Sequence, residues 1–249
     1  MAAEVLAVVP VRLDSSRFEG KALFSVHGKP LVIHLLDGLK KSRRVDHILV
    51  ATDSIEIRRA VTAAGYDVVL TKGKHQTGTD RVAEAAADRR TGIVINVQGD
   101  NYALDGRTLD RVIDAMKDDT SIAYATLARR IRDLSELADT DTVKVVISAD
   151  GHALWFSRLP VPFQKRLPAD GAAARINYYA HIGVYFFRAR ALREYAQWPR
   201  TAAEIAESLE QLRILEHGGR IRVFLTKAHP ISIDSPDDLR KLEALDTQG

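Results

Sequence analysis

A chain of 249 residues with 46% hydrophobic and 28% charged content can bury one substantial core, is too apolar for a disordered protein, and has no run near the roughly 20 apolar residues that span a bilayer. The absence of cysteine excludes disulfides, thiolate nucleophiles and Cys-ligated zinc together. A net charge of +3, from 36 basic residues scattered among 33 acidic ones, suits a phosphate-rich small ligand better than nucleic acid, and the immediate start of an apolar strand without a signal-peptide pattern predicts a cytoplasmic protein with no membrane partner.

In chain order, the apolar run 5–9 reads as a buried strand that breaks at Pro10 into Val11-Arg12-Leu13-Asp14-Ser15-Ser16-Arg17-Phe18-Glu19-Gly20-Lys21. Ligands of open α/β sheets sit beyond the carboxyl ends of such strands. Arg12, Arg17 and Lys21, with Ser15, Ser16 and a glycine that admits close backbone approach, suit a triphosphate; a solvated basic turn is the competing reading. The spacing matches neither GxxxxGK[ST] nor GxGxxG. Leu31, His34, Leu35 and Leu39 fall at helical spacing after Pro30, and Ile55, Ile57, Ala60, Val61 and Ala64 do so before Gly65, a C-terminal stop. Strand-like runs at 47–52, 67–70, 93–97, 121–127 and 143–147, with helical stretches in several of the gaps, argue for parallel βαβ units.

The segment His75 through Arg81 precedes a helical run, so its hydroxyls and amides either meet a base or sugar or simply cap the helix. The strand 93–97 leads through Gln98 and Gly99 to Asp100, and a second short strand leads to Asp234. Each acid is either a turn cap or a metal ligand; two strand-end carboxylates together suit Mg²⁺, typically held by one or two carboxylates plus substrate phosphates and waters. Residues 153–185 read as extended structure with a small-residue loop at 166–175, 202–216 as a strong helix former, and 235–238 as a helix start. The eight histidines show no metal-ligand spacing, only His181 standing out through its neighbours, and there is no GxSxG elbow.

Taken together, the loop through Lys21, Val50-Ala51-Thr52-Asp53, His75 to Arg81, Asn96 to Asp100, Val143-Lys144-Val145-Val146, Phe156-Ser157-Arg158, His181-Ile182-Gly183-Val184-Tyr185, Ser208-Leu209-Glu210-Gln211-Leu212-Arg213 and Asp234-Ser235-Pro236-Asp237-Asp238-Leu239 resemble, in order and spacing, the 3-deoxy-manno-octulosonate cytidylyltransferases. The resemblance implies a three-layer α/β nucleotide-diphospho-sugar transferase fold, a Rossmann-like mixed sheet in one domain over 1–249 with a small extended subdomain at 153–190 for substrate and dimer contacts. It implies Mg²⁺-dependent transfer from CTP to a carboxylate-bearing acceptor, octulosonate foremost, by a homodimer. Carried over residue by residue, Arg12, Ser15, Arg17 and Lys21 hold the triphosphate, and Arg12, Lys21 and Asp100 serve catalysis. Gly78, Thr79 and Gln98 line the nucleotide, Gln98 also facing the acceptor, and Asp100 with Asp234 binds Mg²⁺. Arg158, His181, Tyr185, Glu210 and Gln211 line the acceptor, Arg158 pairing with its carboxylate; strand packing for Tyr185 and a helix-surface charge for Glu210 are the alternatives.

Several residues depart from the family pattern. Arg17-Phe18-Glu19-Gly20-Lys21-Ala22-Leu23 stands where relatives usually read RxPGKPL, and Asn101-Tyr102 follows Asp100 where they read Glu-Pro. Ala180 replaces a basic residue and Lys74 a frequent acid. These changes are expected at the nucleotide and acceptor rims, and they leave open a different acid, such as a modified octulosonate or phosphonoformate, or a catalytically lapsed nucleotide-binding protein.

Overall fold

The computed structural model describes residues 4–13, 20–99, 101–102, 104–133, 135–164, 176–228 and 231–232. In chain order the elements are β1 (Val5–Pro10), a 3-10 turn (Lys21–Leu23), β2 (Ser25–Val26), β3 (Lys29–Pro30), α1 (Leu31–Leu39), β4 (His47–Thr52), α2 (Ile55–Ala63), β5 (Asp67–Leu70), α3 (Gly78–Ala86), β6 (Ile93–Val97) and β7 (Asn101–Tyr102). There follow α4 (Arg107–Asp118), β8 (Tyr124–Arg130), α5 (Ser135–Ala138), β9 (Lys144–Ile147), β10 (Ala153–Ser157), β11 (Tyr179–Arg188), α6 (Ala189–Tyr195), α7 (Ala202–Glu207), α8 (Leu212–Glu216), β12 (Ile221–Leu225) and β13 (Ile231–Ser232).

All six residues of β1 are buried, because helices cover both faces of the sheet. Val5, Ala7 and Val9 pack with Leu35, Leu36 and Leu39 of α1 and Val112, Ile113 and Met116 of α4. Leu6 and Val8 pack on the opposite face with Val82 of α3 and Leu192 and Tyr195 of α6. A strand covered on both sides has no polar face, which is why it reads as a continuous apolar run. The architecture is therefore three layers, as expected.

The sheet is mixed. β6, β1, β4 and β5 lie side by side in parallel, the βαβ half that the sequence pattern predicts. β11 then runs antiparallel to β6 and to β8, and β12 joins β8 in parallel. Strands β9 and β10 continue this same sheet beyond Ala180 of β11. Helix α2 ends as expected before Gly65, whose φ of +79° is a left-handed conformation that glycine adopts without cost. The strand expected at 121–127 begins three residues later, at Tyr124.

The continuous helix expected over 202–216 is broken. Ser208 takes a left-handed conformation, φ 53°, and separates α7 from α8. The physical reason is a buried charge. Arg213 is 2% exposed and Glu204 1%, and they meet through two bonds, Nε to Oε2 at 2.8 Å and Nη2 to Oε1 at 2.7 Å. An unbroken helix would hold residues nine apart roughly 13 Å from one another along its axis. The corner brings them into contact.

Candidate active site

A cavity of about 1200 Å³ opens where the turns after β1, β4, β5 and β6 converge. Along the sheet, β4 and β5 extend from one side of β1 and β6 from the other, so the cavity lies at the switch point where open α/β sheets bind ligands. The turn after β1 starts with a backbone bond from Val11 N to Ala51 O at 2.9 Å, which carries Arg12 past the sheet. Arg12 is exposed and lines the cavity. Lys21 is not among the lining residues. Ser15, Arg17, Asp100 and Asp234, four of the expected site residues, lie outside the described residues, as do the loop 166–175 and the helix start 235–238.

The turn after β5 is fixed from below. Arg81, 6% exposed, donates from Nη1 to Thr71 Oγ1 at 2.5 Å and from Nη2 to Asp53 Oδ2 at 2.7 Å. Thr77 and Asp80 form a reciprocal cap on α3: Thr77 Oγ1 accepts from Asp80 N at 3.2 Å, and Asp80 Oδ2 accepts from Thr77 N at 3.1 Å. Of the two readings of this segment, the cap accounts for Thr77 and Asp80. Gly78 lines the cavity, and a Cβ there would stand 2.9 Å from Gln98 Nε2, so glycine is what lets the Gln98 amide cross the start of α3. Thr79 is 1% exposed; its hydroxyl accepts from Asn96 Nδ2 at 2.8 Å, beneath the wall that Gly78 and Gln98 form.

The facing wall comes from β11 and the α7–α8 corner, and five of the expected acceptor residues, Gln98, Arg158, Tyr185, Glu210 and Gln211, line the cavity. Glu210 accepts from Thr79 N at 3.0 Å and from Gln98 Nε2 at 2.8 Å, which ties the two walls together. Burial pushes its carboxyl above the ordinary value, against the pull of the Thr79 hydrogen bonds. Tyr185 donates to Gln211 Oε1 at 3.0 Å. Gln211 is 1% exposed, and its Nε2 has no partner among the described residues, so the cavity wall presents a buried donor in want of an acceptor. The bland readings of Tyr185 and Glu210, strand packing and a surface charge, do not describe this arrangement.

His181 differs from the expectation of direct acceptor contact, and Arg158 meets the cavity with part of its guanidinium already engaged. His181 is not a lining residue: its Nε2 meets Thr126 Oγ1 at 2.8 Å and its ring packs between those of Phe156 and Tyr185, centroids 5.0 and 5.3 Å away. Thr126 donates its own proton to Val184 O at 2.7 Å, so the imidazole donates. Burial holds its pKa down at about 3, which leaves it neutral and suited to backing Tyr185. Arg158 does line the cavity, but its Nε donates to Glu207 O at 2.8 Å and its Nη1 to Thr140 O at 2.9 Å, so two carbonyls already fix the guanidinium. Lys144, fully buried with its pKa lowered by that burial, donates to Asp139 O at 2.8 Å, Thr142 O at 2.7 Å and Arg158 O.

Sequence reasoning missed the ionic support under this wall. Arg213 adds a third bond, Nη1 to Asp80 Oδ1 at 3.0 Å, joining the α3 cap to Glu204, and Arg200 lies 3.1 Å from the same Glu204 oxygen. The Thr201-to-Glu204 spacing is a capping-box signature that marks the start of α7; no local signal pairs Glu204 with Arg213. The departures are also redistributed. Lys74 lines the cavity, but Asn101, Tyr102 and Ala180 are 7%, 8% and 2% exposed, so they belong to packed interior rather than to a rim. Tyr102 turns inward onto the His34 ring, centroids 5.3 Å apart.

Among the described residues no group of three or more His, Asp or Glu side chains is placed to hold a metal ion. β7 pairs antiparallel with β13, Tyr102 opposite Ile231 and Asn101 opposite Ser232.

Comparison with known proteins places these features in context. A family model described as cytidylyltransferase matches residues 6–221. The 3-deoxy-manno-octulosonate cytidylyltransferase of Geobacter sulfurreducens is 41% identical over 243 residues, covering 96% of this chain and 97% of that one; that of Geotalea daltonii is 40% identical over 252 residues, covering 99% and 100%. Among solved structures, a CMP:2-keto-3-deoxy-manno-octonic acid synthetase complexed with CTP superposes with a TM-score of 0.91 at 36% identity, covering 99% of both chains. The 4-diphosphocytidyl-2C-methyl-D-erythritol synthase of Anaerococcus prevotii, at 13% identity and a TM-score of 0.64 with 99% and 97% coverage, shares the fold.

Proposed function

The chain belongs to the cytidylyltransferase family, and from that premise we propose that it transfers the cytidylyl group of CTP to 3-deoxy-manno-octulosonate, releasing pyrophosphate. The observation that carries this reading is the near full-length likeness, 41% identity over 96% of the chain, to proteins named for that reaction. The cavity agrees with it. One wall offers an exposed arginine and a helix start to a nucleotide, and the other offers the Gln211 amide, the Tyr185 hydroxyl and the Glu210 carboxylate to a polyhydroxylated acid.

In this reaction the acceptor's anomeric oxygen bonds to the α-phosphorus of CTP, the bond from that phosphorus to the bridging oxygen breaks, pyrophosphate departs and the hydroxyl proton is lost. No covalent nucleophile is needed; positioning and neutralisation of spreading phosphate charge suffice. Arg12 and Lys21, with Ser15 and Arg17, supply cations and donors to the triphosphate. Gly78 and Gln98 border the nucleotide, Gln98 also facing the acceptor beside Glu210, and Thr79 acts through Glu210, which takes its N–H. Arg158, Tyr185, Glu210 and Gln211 orient the acceptor, with His181 holding Tyr185 in place. Asp100 and Asp234 would hold Mg²⁺, which when bound supplies further neutralisation of the phosphates.

A homodimer is part of the reading. Leu154, Leu159 and Phe163, 60%, 63% and 82% exposed, gather on and just after β10, within 153–190. A cytoplasmic location is also part of the reading; separately, no helix among the described residues is long and apolar enough to cross a membrane.

The test is pyrophosphate release with Mg²⁺, each of the four common nucleoside triphosphates, and a panel of octulosonates, nonulosonates and phosphonate acids. Release with CTP and octulosonate is expected. Release with CTP and only another acid would move the acceptor assignment, and no release with any pair would overturn the reading.

A further inference from the structure

Hydrogen bonds centred on Asn101 tie Gln98, at the end of β6, to β11. Asn101 Nδ2 donates to Gln98 O and to Gly183 O, both at 3.1 Å. Its backbone N–H also donates to Gln98 O, at 3.1 Å, while Gln98 N donates to Gly183 O at 3.2 Å. The Gly183 carbonyl faces β6, one step past the Val184–Val97 pair, while on its other edge β11 bulges from β8 between Ile182 and Tyr185, a local break in pairing that often accompanies an active site. The neighbouring Val184 carbonyl is met instead by the Thr126 hydroxyl.

The two groups that meet Asn101 Nδ2 are carbonyl oxygens, which only accept. Two N–H groups on one atom satisfy both, whereas an ionised carboxylate has no proton to give and would face two oxygens. The residue that stands here in place of the family's usual Glu is therefore chemically specific to this contact and cannot be read as the loss of a charge alone. What the contact holds is the backbone of Gln98, gripped at its N–H by Gly183 and at its carbonyl by Asn101. From that anchored backbone the Gln98 side chain reaches Glu210 Oε1 at 2.8 Å, across the start of α3.

We propose that Asn101 is a positioning residue: it clamps the Gln98 turn onto the β11 bulge and so aims the Gln98 amide at the acceptor wall. The inference rests on the preceding reading of Gln98 as a substrate-facing residue. If Asn101 acts through Gln98, its removal must cost nothing once Gln98 is gone, and a double-mutant cycle isolates that dependence.

Asn101→Ala, Gln98→Ala and the double variant are compared by steady-state pyrophosphate release, varying CTP and acceptor separately. The expected result is a loss of roughly 10-fold or more in kcat/KM for the acceptor in Asn101→Ala, the scale of losing two hydrogen bonds even though both carbonyls keep their backbone donors, with a clearly smaller shift in the CTP KM. In the Gln98→Ala background the same change is expected to cost less than about two-fold. Additive losses, equal shifts in the two KM values, or an Asn101→Ala enzyme within two-fold of wild type would overturn the proposal. Hydrogen exchange at the Gln98 backbone amide supplies a readout that needs no turnover: exchange about 10-fold faster in Asn101→Ala supports the clamp, and unchanged exchange sinks it. Asn101→Asp, isosteric but without donors, repeats both measurements should the alanine variant fold poorly. A wild-type protein inactive with every substrate pair would overturn the functional reading, and the exchange result would still decide the clamp.

Discussion

The two walls of the cavity are held together in opposite ways. The wall after β5 is organised locally: Arg81 reaches Thr71 ten positions away and Thr77 caps onto Asp80 three positions away. The wall formed by the α7–α8 corner is held by buried groups from remote parts of the chain. Thr79 and Glu210 are 131 positions apart, Gln98 and Glu210 are 112 apart, and Asp80 and Arg213 are 133 apart. Local turns can be varied one at a time. A buried ionic network fails as a unit, because removing one partner leaves the others charged and without water.

The sharpest way to break this contrast is Arg213→Ala. It strips Glu204 of its bidentate partner at 1% exposure, and the expected loss is about 3–5 kcal/mol of unfolding free energy by urea titration. Arg12→Ala on the other wall, at an exposed position, should change stability by less than about 0.5 kcal/mol. Equal losses in the two variants would show that the walls are not built differently.

A smaller effect is expected from Glu210→Gln, which exchanges one of two acceptor oxygens for a donor facing another donor, at a cost of roughly 1–3 kcal/mol. Its pH signature is more specific. The Glu210 carboxyl is raised by burial above its ordinary value of 4.5, so the folded state binds its proton more tightly than the unfolded chain does. Its contribution to stability is therefore fully present below that ordinary value and declines as pH rises through the raised one. Stability curves measured from acid upward should show this decline in the wild type and not in Glu210→Gln; parallel curves would count against it.

A small change in the opposite direction is expected from Ser208→Gly. A left-handed serine, φ 53°, carries a strain of about 1 kcal/mol that glycine does not, so thermal unfolding should shift upward slightly. A downward shift would mean that the serine side chain itself supports the corner.

Much of this was legible in the chain. The βαβ half follows from apolar runs and helical spacing, because a strand buried on both faces must be apolar throughout and a helix must present one stripe. The position of the cavity follows from where those strands end. The cap at Thr77 and Asp80 was visible as one of two readings, and only the paired backbone bonds chose between them. The family resemblance supplied the acceptor residues, of which five line the cavity and His181 stands one layer behind.

What the sequence by itself determined, then, is the set of elements and the end of the sheet at which a ligand binds, since helix caps, strand periodicity and turn chemistry act over a few residues. What only the tertiary structure decided is which distant groups meet: β11 inserted against β6 and β8, the corner at Ser208 that lets Glu204 reach Arg213, and the burial of Asn101, Tyr102 and Ala180. Each of these depends on finding a partner for a carbonyl or a charge taken out of water, and that partner is chosen by the whole packed chain rather than by its neighbours in sequence.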